Sequence, residues 1–231
     1  MLRLGRDLSS PPDIPEAGVA AVDNVLRSGW PHRYGETMGD ASEASLLEAE
    51  FAALLGTRFV VAVNSCGSSM FLALLCTGVK PGDRVLMDAF TLAPVPGAVA
   101  HAGAEHVLVE VTPDLVIGLD DLARKAEASG ARHLLLSHMR GHIADMPRLM
   151  ALCDRLGVIV IEDCAHTMGA NWAGRPTGTL RPRRLLQPAG LQTRQCGRGR
   201  LAGHRRRGCG CPGHPVFGQL HAFRPASFAP R

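Results

Sequence analysis

Two short segments of the chain contain residue types that could do chemistry, and the first is Gly67-Ser68-Ser69. It follows an apolar run with strand character and opens an almost wholly apolar stretch at residues 70–76. The N–H groups and positive dipole end of a helix start, with nearby hydroxyls, form a good seat for a phosphate. Short Gly/Ser turns are also common as plain turns and N-caps, and this segment taken alone favours the plain turn.

The second segment is Glu162-Asp163-Cys164-Ala165-His166. Asp163 ends an apolar run, and Glu162 falls on the alternate face of the same run. A carboxylate there must be solvated, paired or bound to a cation, because an unpaired buried charge is costly. His166 lies close enough in sequence to join the same site. Taken singly, a capping aspartate and a structural histidine explain these residues equally well.

The two segments in combination match one cofactor. Pyridoxal phosphate needs an anchored phosphate and an acid that keeps its pyridine nitrogen protonated, so that the ring can act as an electron sink. Gly67 and Ser68 could supply the first, and Asp163 the second.

The elements that would position these segments follow from hydrophobic patterning. Short β-branched runs alternate with helical patterns, and turn signals such as Pro81-Gly82-Asp83 separate them. This alternation predicts right-handed βαβ units and a doubly wound α/β fold with a mainly parallel sheet, whose ligands bind beyond the carboxyl ends of the strands. The predicted strands are 59–63, 84–90, 106–111, 133–138 and 158–162, and the predicted helices are 15–27, 42–55, 69–77, 95–102, 119–128 and 146–156.

The charge distribution changes abruptly near residue 180. All 21 acidic residues precede that point, whereas residues 181–231 contain eleven arginines, no lysine and no acid. The 25 basic residues less these eleven leave fourteen against 21 acids, so residues 1–180 carry −7 and the tail +11. The net charge of +4 therefore combines two unlike parts and says little about partners.

A series of motifs resembles the DegT/DnrJ/EryC1/StrS aminotransferases, and the resemblance covers residues from about 28 to 180. The motifs occur in order and at similar spacing: Asn64-Ser65-Cys66-Gly67-Ser68, Pro81-Gly82-Asp83, Ala89-Phe90-Thr91, Gly103-Ala104-Glu105, Gly141-His142-Ile143-Ala144-Asp145-Met146, Ile161-Glu162-Asp163-Cys164-Ala165-His166 and Gly174-Arg175-Pro176-Thr177-Gly178.

The resemblance implies a pyridoxal-phosphate enzyme of the aspartate-aminotransferase fold (fold type I), a homodimer that aminates keto-sugars or cyclitols with glutamate or glutamine as donor. By position, Gly67 and Ser68 would hold the phosphate and Asp163 the pyridine nitrogen. His166 would approach the phenolic oxygen, where the family usually has Gln. Leu92 falls where the family stacks an aromatic side chain on the ring. No metal is expected.

The resemblance stops at Leu180. The family continues with a Gly-Cys-Phe-Ser strand, the Schiff-base lysine five residues after that serine, and then Glu-Gly-Gly. This chain has no lysine after Lys125. Without that lysine no catalytic residue can be assigned, and the chain is expected to be inactive. A non-catalytic relative that binds pyridoxal or pyridoxamine phosphate is the alternative.

The genetic code offers an explanation for the missing lysine. If each codon takes the last two bases of one triplet and the first of the next, Arg184 to Pro188 permit Gly-Cys-Phe-Ser, and Gln192 with Thr193 permits Lys at the required spacing. Arg198 to Leu201 then permit Glu-Gly-Gly. We therefore interpret residues 1–180 as a partial cofactor-binding domain with N-terminal helices, truncated before its last strands and small domain. Residues 181–231 are interpreted as a frameshifted, disordered tail.

Other readings of the tail are weaker. Cys209-Gly210-Cys211 with His214 matches no standard zinc spacing. Arg205-Arg206-Arg207 has no interleaved aromatics, so a nucleic-acid arm is the less favoured alternative. The charged start lacks the apolar stretch of a signal peptide, and a cytoplasmic compartment without membrane contact is expected.

Overall fold

The computed structural model describes residues 14–30, 32–33 and 42–179, together with the backbone of 186–189 and 200–204. Six α-helices lie at Glu16–Ser28 (α1), Glu43–Leu55 (α2), Cys66–Cys76 (α3), Pro94–His101 (α4), Leu119–Ser129 (α5) and Met146–Leu156 (α6). Nine strands lie at Phe59–Val63 (β1), Arg84–Asp88 (β2), Glu105–Val109 (β3), His133–Ser137 (β4), Ile159–Asp163 (β5), Asn171–Trp172 (β6), Arg175–Pro176 (β7), Leu186–Ala189 (β8) and Arg200–His204 (β9). None of the helices in these ranges is both long and apolar enough to cross a membrane.

The central sheet has seven strands in the order β1-β9-β8-β5-β4-β2-β3. The run from β8 to β3 is parallel, and β9 is antiparallel to both of its neighbours, β1 and β8. The predicted α/β class and mainly parallel sheet are therefore confirmed. The strands β6 and β7 form a separate small hairpin after β5.

Helices cover both faces of the sheet. Residues of α3 and α4 pack with Val85, Leu135 and Ile161 on one face, whereas residues of α5 and α6 pack with Leu86 and Leu134 on the other. These inward side chains alternate along each strand, as the two-residue period of a strand requires. The result is the predicted three-layer arrangement, with a separate apolar core on each side.

The tail contributes backbone to this sheet, which differs from the expectation that the sheet stops before its last strands. Leu186 pairs with Ile161 of β5, and β9 lies between β8 and β1. A sheet is joined through main-chain hydrogen bonds, so a segment with little hydrophobic patterning can still occupy a strand position. The motifs at 205–207 and 209–214, and the disorder predicted for the rest of the tail, fall outside the described residues.

Candidate active site

The helix α3 begins three residues earlier than predicted. Ser65 is its N-cap, and the Ser65 hydroxyl oxygen accepts a hydrogen bond from the Ser68 amide at 3.0 Å. Gly67 and Ser68 therefore lie in the first turn, where amides have no acceptor within the helix itself. The Ser68 hydroxyl donates to Asn64 Oδ1 at 2.8 Å. The cap moves the helix start toward β1 and places Gly67, which is partly buried, in the first turn.

Asp163 ends β5 and is only 6% exposed. Its Oδ1 accepts from the Ala165 amide at 3.0 Å and the Cys66 thiol at 3.4 Å, and its Oδ2 accepts from the Ser137 hydroxyl at 3.3 Å. All three donors are neutral, and no basic side chain of the described residues forms an ion pair with Asp163. A buried carboxylate of this kind is suited to bind a cation that the chain itself does not provide.

Cys66 connects Asp163 to the start of α3. Its thiol contacts the carboxylate, and the next residue is Gly67, where a Cβ would lie in ordinary contact with Pro94 and Ser65. A Cβ built on Gly67 would meet nothing closer than 3.8 Å. The helix start and the carboxylate are therefore adjacent at the carboxyl edge of the sheet, as the strand-end rule predicts.

His166 and Leu92 line one cavity of about 430 Å³, together with Met139 and Arg140. Leu92 is 44% exposed, which is high for a large apolar side chain. The Arg140 amide donates to His166 Nδ1 at 3.0 Å. Ala165, whose amide bonds to Asp163, directly precedes His166, so the carboxylate and one wall of this cavity belong to the same short segment.

A second carboxyl group, Asp88 at the end of β2, lies close to Asp163. The Ser137 amide donates to Asp88 Oδ2 at 3.2 Å, while the Ser137 hydroxyl donates to Asp163. Asp88 Oδ1 is buried and has no partner among the described residues. Burial, and to a smaller extent the neighbouring Asp163 charge, raises the pKa of Asp88 to about 8. Asp88 is therefore a neutral acid at pH 7.

Glu162, on the opposite face of β5, is completely buried and acts as a hydrogen-bond hub. Its Oε1 accepts from His138 Nε2 at 2.9 Å, from the Gly178 amide at 2.9 Å and from the Cys164 thiol at 3.4 Å. Burial raises the pKa of the Cys164 thiol, so the sulfur stays protonated and remains a donor. These bonds tie β4, β5 and the segment up to Gly178 together beneath the site.

We expect Glu162→Gln to destabilise the fold by about 2 kcal/mol, because an amide oxygen is a weaker acceptor than a carboxylate and the added NH₂ is buried. Urea unfolding at pH 7 measures this difference. The matched control is Glu105→Gln, whose pair with Arg84 is more than half exposed on both sides and should change stability by less than about 1 kcal/mol. Equal losses of unfolding free energy in the two variants would contradict the role of Glu162 as a hydrogen-bond hub.

Sequence reasoning assigned roles to Gly67, Ser68, Leu92, Asp163 and His166 but none to five residues that bond to them, lie close to them or line the same cavity. Those residues are Cys66, Asp88, Ser137, Met139 and Arg140. All five lie in segments at the carboxyl ends of predicted strands, where a ligand was expected, but the sequence does not show which of their atoms bond to the site. Cys66 was expected to be only a buried thiol, and its bond to Asp163 depends on the helix start, which the sequence placed too late.

Comparison with known proteins shows which family the chain matches and which solved structures it is similar to. Residues 12–183 match the profile of the DegT/DnrJ/EryC1/StrS aminotransferase family. Among solved structures, 3-amino-5-hydroxybenzoic acid synthase is 27% identical with a TM-score of 0.74, over 85% of this chain and 50% of that one. DesV of S. venezuelae is 32% identical with a TM-score of 0.68, over 80% of this chain and 48% of that one.

A third structure, NtdA of Bacillus subtilis with bound pyridoxamine phosphate, shares the fold at 21% identity, with a TM-score of 0.68 over 88% of this chain and 47% of that one. The chain spans about half the length of the solved relatives it matches. The family profile covers well over half of the 231 residues. On this match, the chain belongs to the DegT/DnrJ/EryC1/StrS aminotransferase family.

Proposed function

We propose that the parent protein is a pyridoxal-phosphate aminotransferase that moves an amino group from glutamate or glutamine to a keto-sugar, cyclitol or related ketone. Family membership supports the reaction class, and the names of the similar solved structures, such as 3-amino-5-hydroxybenzoic acid synthase, support an amino-group product. The proposal extends to a homodimer, the usual assembly of the family.

The observation that carries the proposal is the environment of Asp163. A carboxylate that is 6% exposed and bonded only to neutral donors has no charged partner among the described residues, and a protonated ring nitrogen would supply one. The first turn of α3 lies on the same edge of the sheet, where Gly67 and Ser68 would hold the phosphate. The residues present therefore fit the cofactor, with Leu92 and His166 at the cavity beside it.

Each of these side chains has a distinct task in the proposal. Bound pyridoxal phosphate supplies the electron sink for the reaction. Asp163 would hold the proton on the ring nitrogen, and the dipole of α3 would attract the phosphate. His166 would donate to the phenolic oxygen, and Leu92 would give the ring an aliphatic contact in place of an aromatic one.

Titration with pyridoxamine phosphate tests this assignment, because that form of the cofactor needs no lysine. Asp163→Asn in the full chain is expected to weaken binding by about 10- to 100-fold, the effect of losing one charge-assisted hydrogen bond. Asp120→Asn, an exposed carboxylate in the first turn of α5, is the matched control and should bind as the unchanged chain does. Unchanged affinity in Asp163→Asn would refute the assignment.

For the chain as given, we propose that residues 181–231 arise from a shifted reading frame. The displaced lysine lies across the codons of Gln192 and Thr193, in a part of the chain that the structure does not describe. In this form the protein binds the cofactor without completing a turnover. Resequencing the nucleotides at Leu180 and Arg181 tests the frame, and an intact frame with no displaced lysine codon would overturn it.

A further inference from the structure

The turn between β4 and α6 holds Arg140 in an unusual backbone conformation. Arg140 has φ 53° and ψ 22°, the left-handed region that L-residues other than Gly, Asn and Asp seldom occupy. Such a conformation is unfavourable and persists only where the surrounding structure requires it. The adjacent Gly141 also has positive φ, 86°, and can adopt it without a Cβ clash.

The Arg140 amide makes one specific contact from this turn. It donates to His166 Nδ1 at 3.0 Å. A ring nitrogen that accepts a hydrogen bond carries no proton, so the neutral imidazole must carry its proton on Nε2. The second ring nitrogen, Nε2, has no hydrogen-bond partner among the described residues.

The ring lines the cavity of about 430 Å³ with Leu92, Met139 and Arg140. Its Nε2–H is therefore available as a donor to a ligand in that cavity. The other nitrogen is already occupied, so the neutral ring is a fixed donor and not a general base.

We infer that Arg140, acting through its main-chain amide, is a positioning residue that fixes His166 in the Nε2–H tautomer for donation to an anionic aromatic oxygen. The identification of that oxygen with the cofactor's phenolic oxygen rests on the proposed function. The Arg140 side chain is not needed for this role, because the donor belongs to the backbone.

Nitrogen-15 NMR of the full chain, without cofactor and at alkaline pH, tests the inference directly. The His166 ring signals, assigned by their loss in His166→Gln, should show Nε2–H in excess over Nδ1–H by at least about tenfold, the ratio that one added hydrogen bond supports. A scalar coupling across the hydrogen bond should link the Arg140 amide nitrogen to His166 Nδ1. Predominant Nδ1–H, or no coupling, would overturn the inference.

Two variants separate the backbone from the side chain. Arg140→Gly keeps the amide and suits a positive φ, so both signatures should remain; their loss would show that the guanidinium is required and that the inference is wrong. Arg140→Val disfavours positive φ and should weaken the coupling and lower the tautomer ratio. Unchanged signatures in a folded Arg140→Val would show that the left-handed turn is not what fixes the ring.

Addition of pyridoxamine phosphate distinguishes this inference from the proposed function. Binding should move the His166 Nε2–H proton resonance downfield, as donation to a charged oxygen does. A fixed Nε2–H tautomer without any binding would refute the proposed function and leave the inference standing. Binding with a predominant Nδ1–H tautomer would do the reverse.

Discussion

The full 231-residue chain is expected to give no transaminase turnover, even when it binds the cofactor. Its two lysines, Lys80 and Lys125, lie away from the site. Lys80 precedes β2, at the amino end of the sheet, in a turn where its amide bonds to Asp83. Lys125 Nζ on α5 lies 2.9 Å from Asp121 and 2.5 Å from the Leu108 carbonyl. Lys125 is thus held at β3, three strands from β5 in the sheet, and Lys80 at the opposite edge, so neither amine lies beside Asp163.

The transaminase rate of the 231-residue chain should be compared with that of protein made from a gene whose reading frame is restored at the codons of Leu180 and Arg181. Restoration should raise the rate by at least about 100-fold, the smallest gain typical of a positioned acid or base. Replacing the restored lysine with Ala is the matched control and should return the rate to that of the 231-residue chain. Visible absorption from lysine-bound cofactor in the unrestored chain would contradict the prediction.

Asp88→Asn is expected to stabilise the protein more as the pH rises from about 4 to 8. Burial raises the pKa of Asp88 to about 8 in the folded chain, whereas the unfolded carboxyl ionises near its ordinary value. Below that ordinary pKa both states are protonated and the group imposes no cost. Between the two values only the unfolded state loses its proton, so stability falls by up to about 1.4 kcal/mol per pH unit. Above about pH 8 the loss is complete and the dependence ends.

Urea unfolding of both proteins at several pH values between 5 and 8 measures the difference. Asn cannot ionise, and its carbonyl oxygen can still accept from the Ser137 amide, so the variant lacks the loss that Asp88 causes. Asp114→Asn, an exposed carboxyl, is the control and should follow the unchanged chain at every pH. A stability difference between Asp88→Asn and the unchanged chain that does not vary with pH would rule out the raised pKa.

The hydrophobic pattern of the sequence predicted helices and strands well where the period of a helix or of a strand clearly dominated. The helix α6 was placed at its observed bounds, because Asp145 caps a strongly amphipathic stretch that ends at Gly157. The start of α3 was placed late, since Ser65 competes with Ser69 as a cap and only the hydrogen bond to Ser68 decides between them.

The site was predictable only in part, because some of its contacts depend on main-chain geometry that residue type does not specify. Asp163 and His166 follow from residue type, strand position and the family resemblance. The role of the Arg140 amide could not be predicted, because every residue except proline has an N–H group. The direction of this N–H depends on a left-handed φ, which an arginine in the sequence does not indicate. The backbone of β8 and β9 was also missed, since main-chain pairing leaves little trace in composition.

The two neighbouring carboxylates of β5, Glu162 and Asp163, disfavour a shifted register of this strand in the sheet. Successive side chains of a strand face opposite sides, so a slip of one residue would turn Glu162 and Asp163 each to the opposite face of the sheet. Asp163 would then enter the layer beneath α5 and α6, too short to keep the bonds to His138 and Gly178, and Glu162 would crowd the start of α3. Each slipped arrangement strands a charge in an apolar layer. The two carboxylates therefore favour one register of β5 over the registers shifted by one residue, and this preference does not depend on a bound ligand.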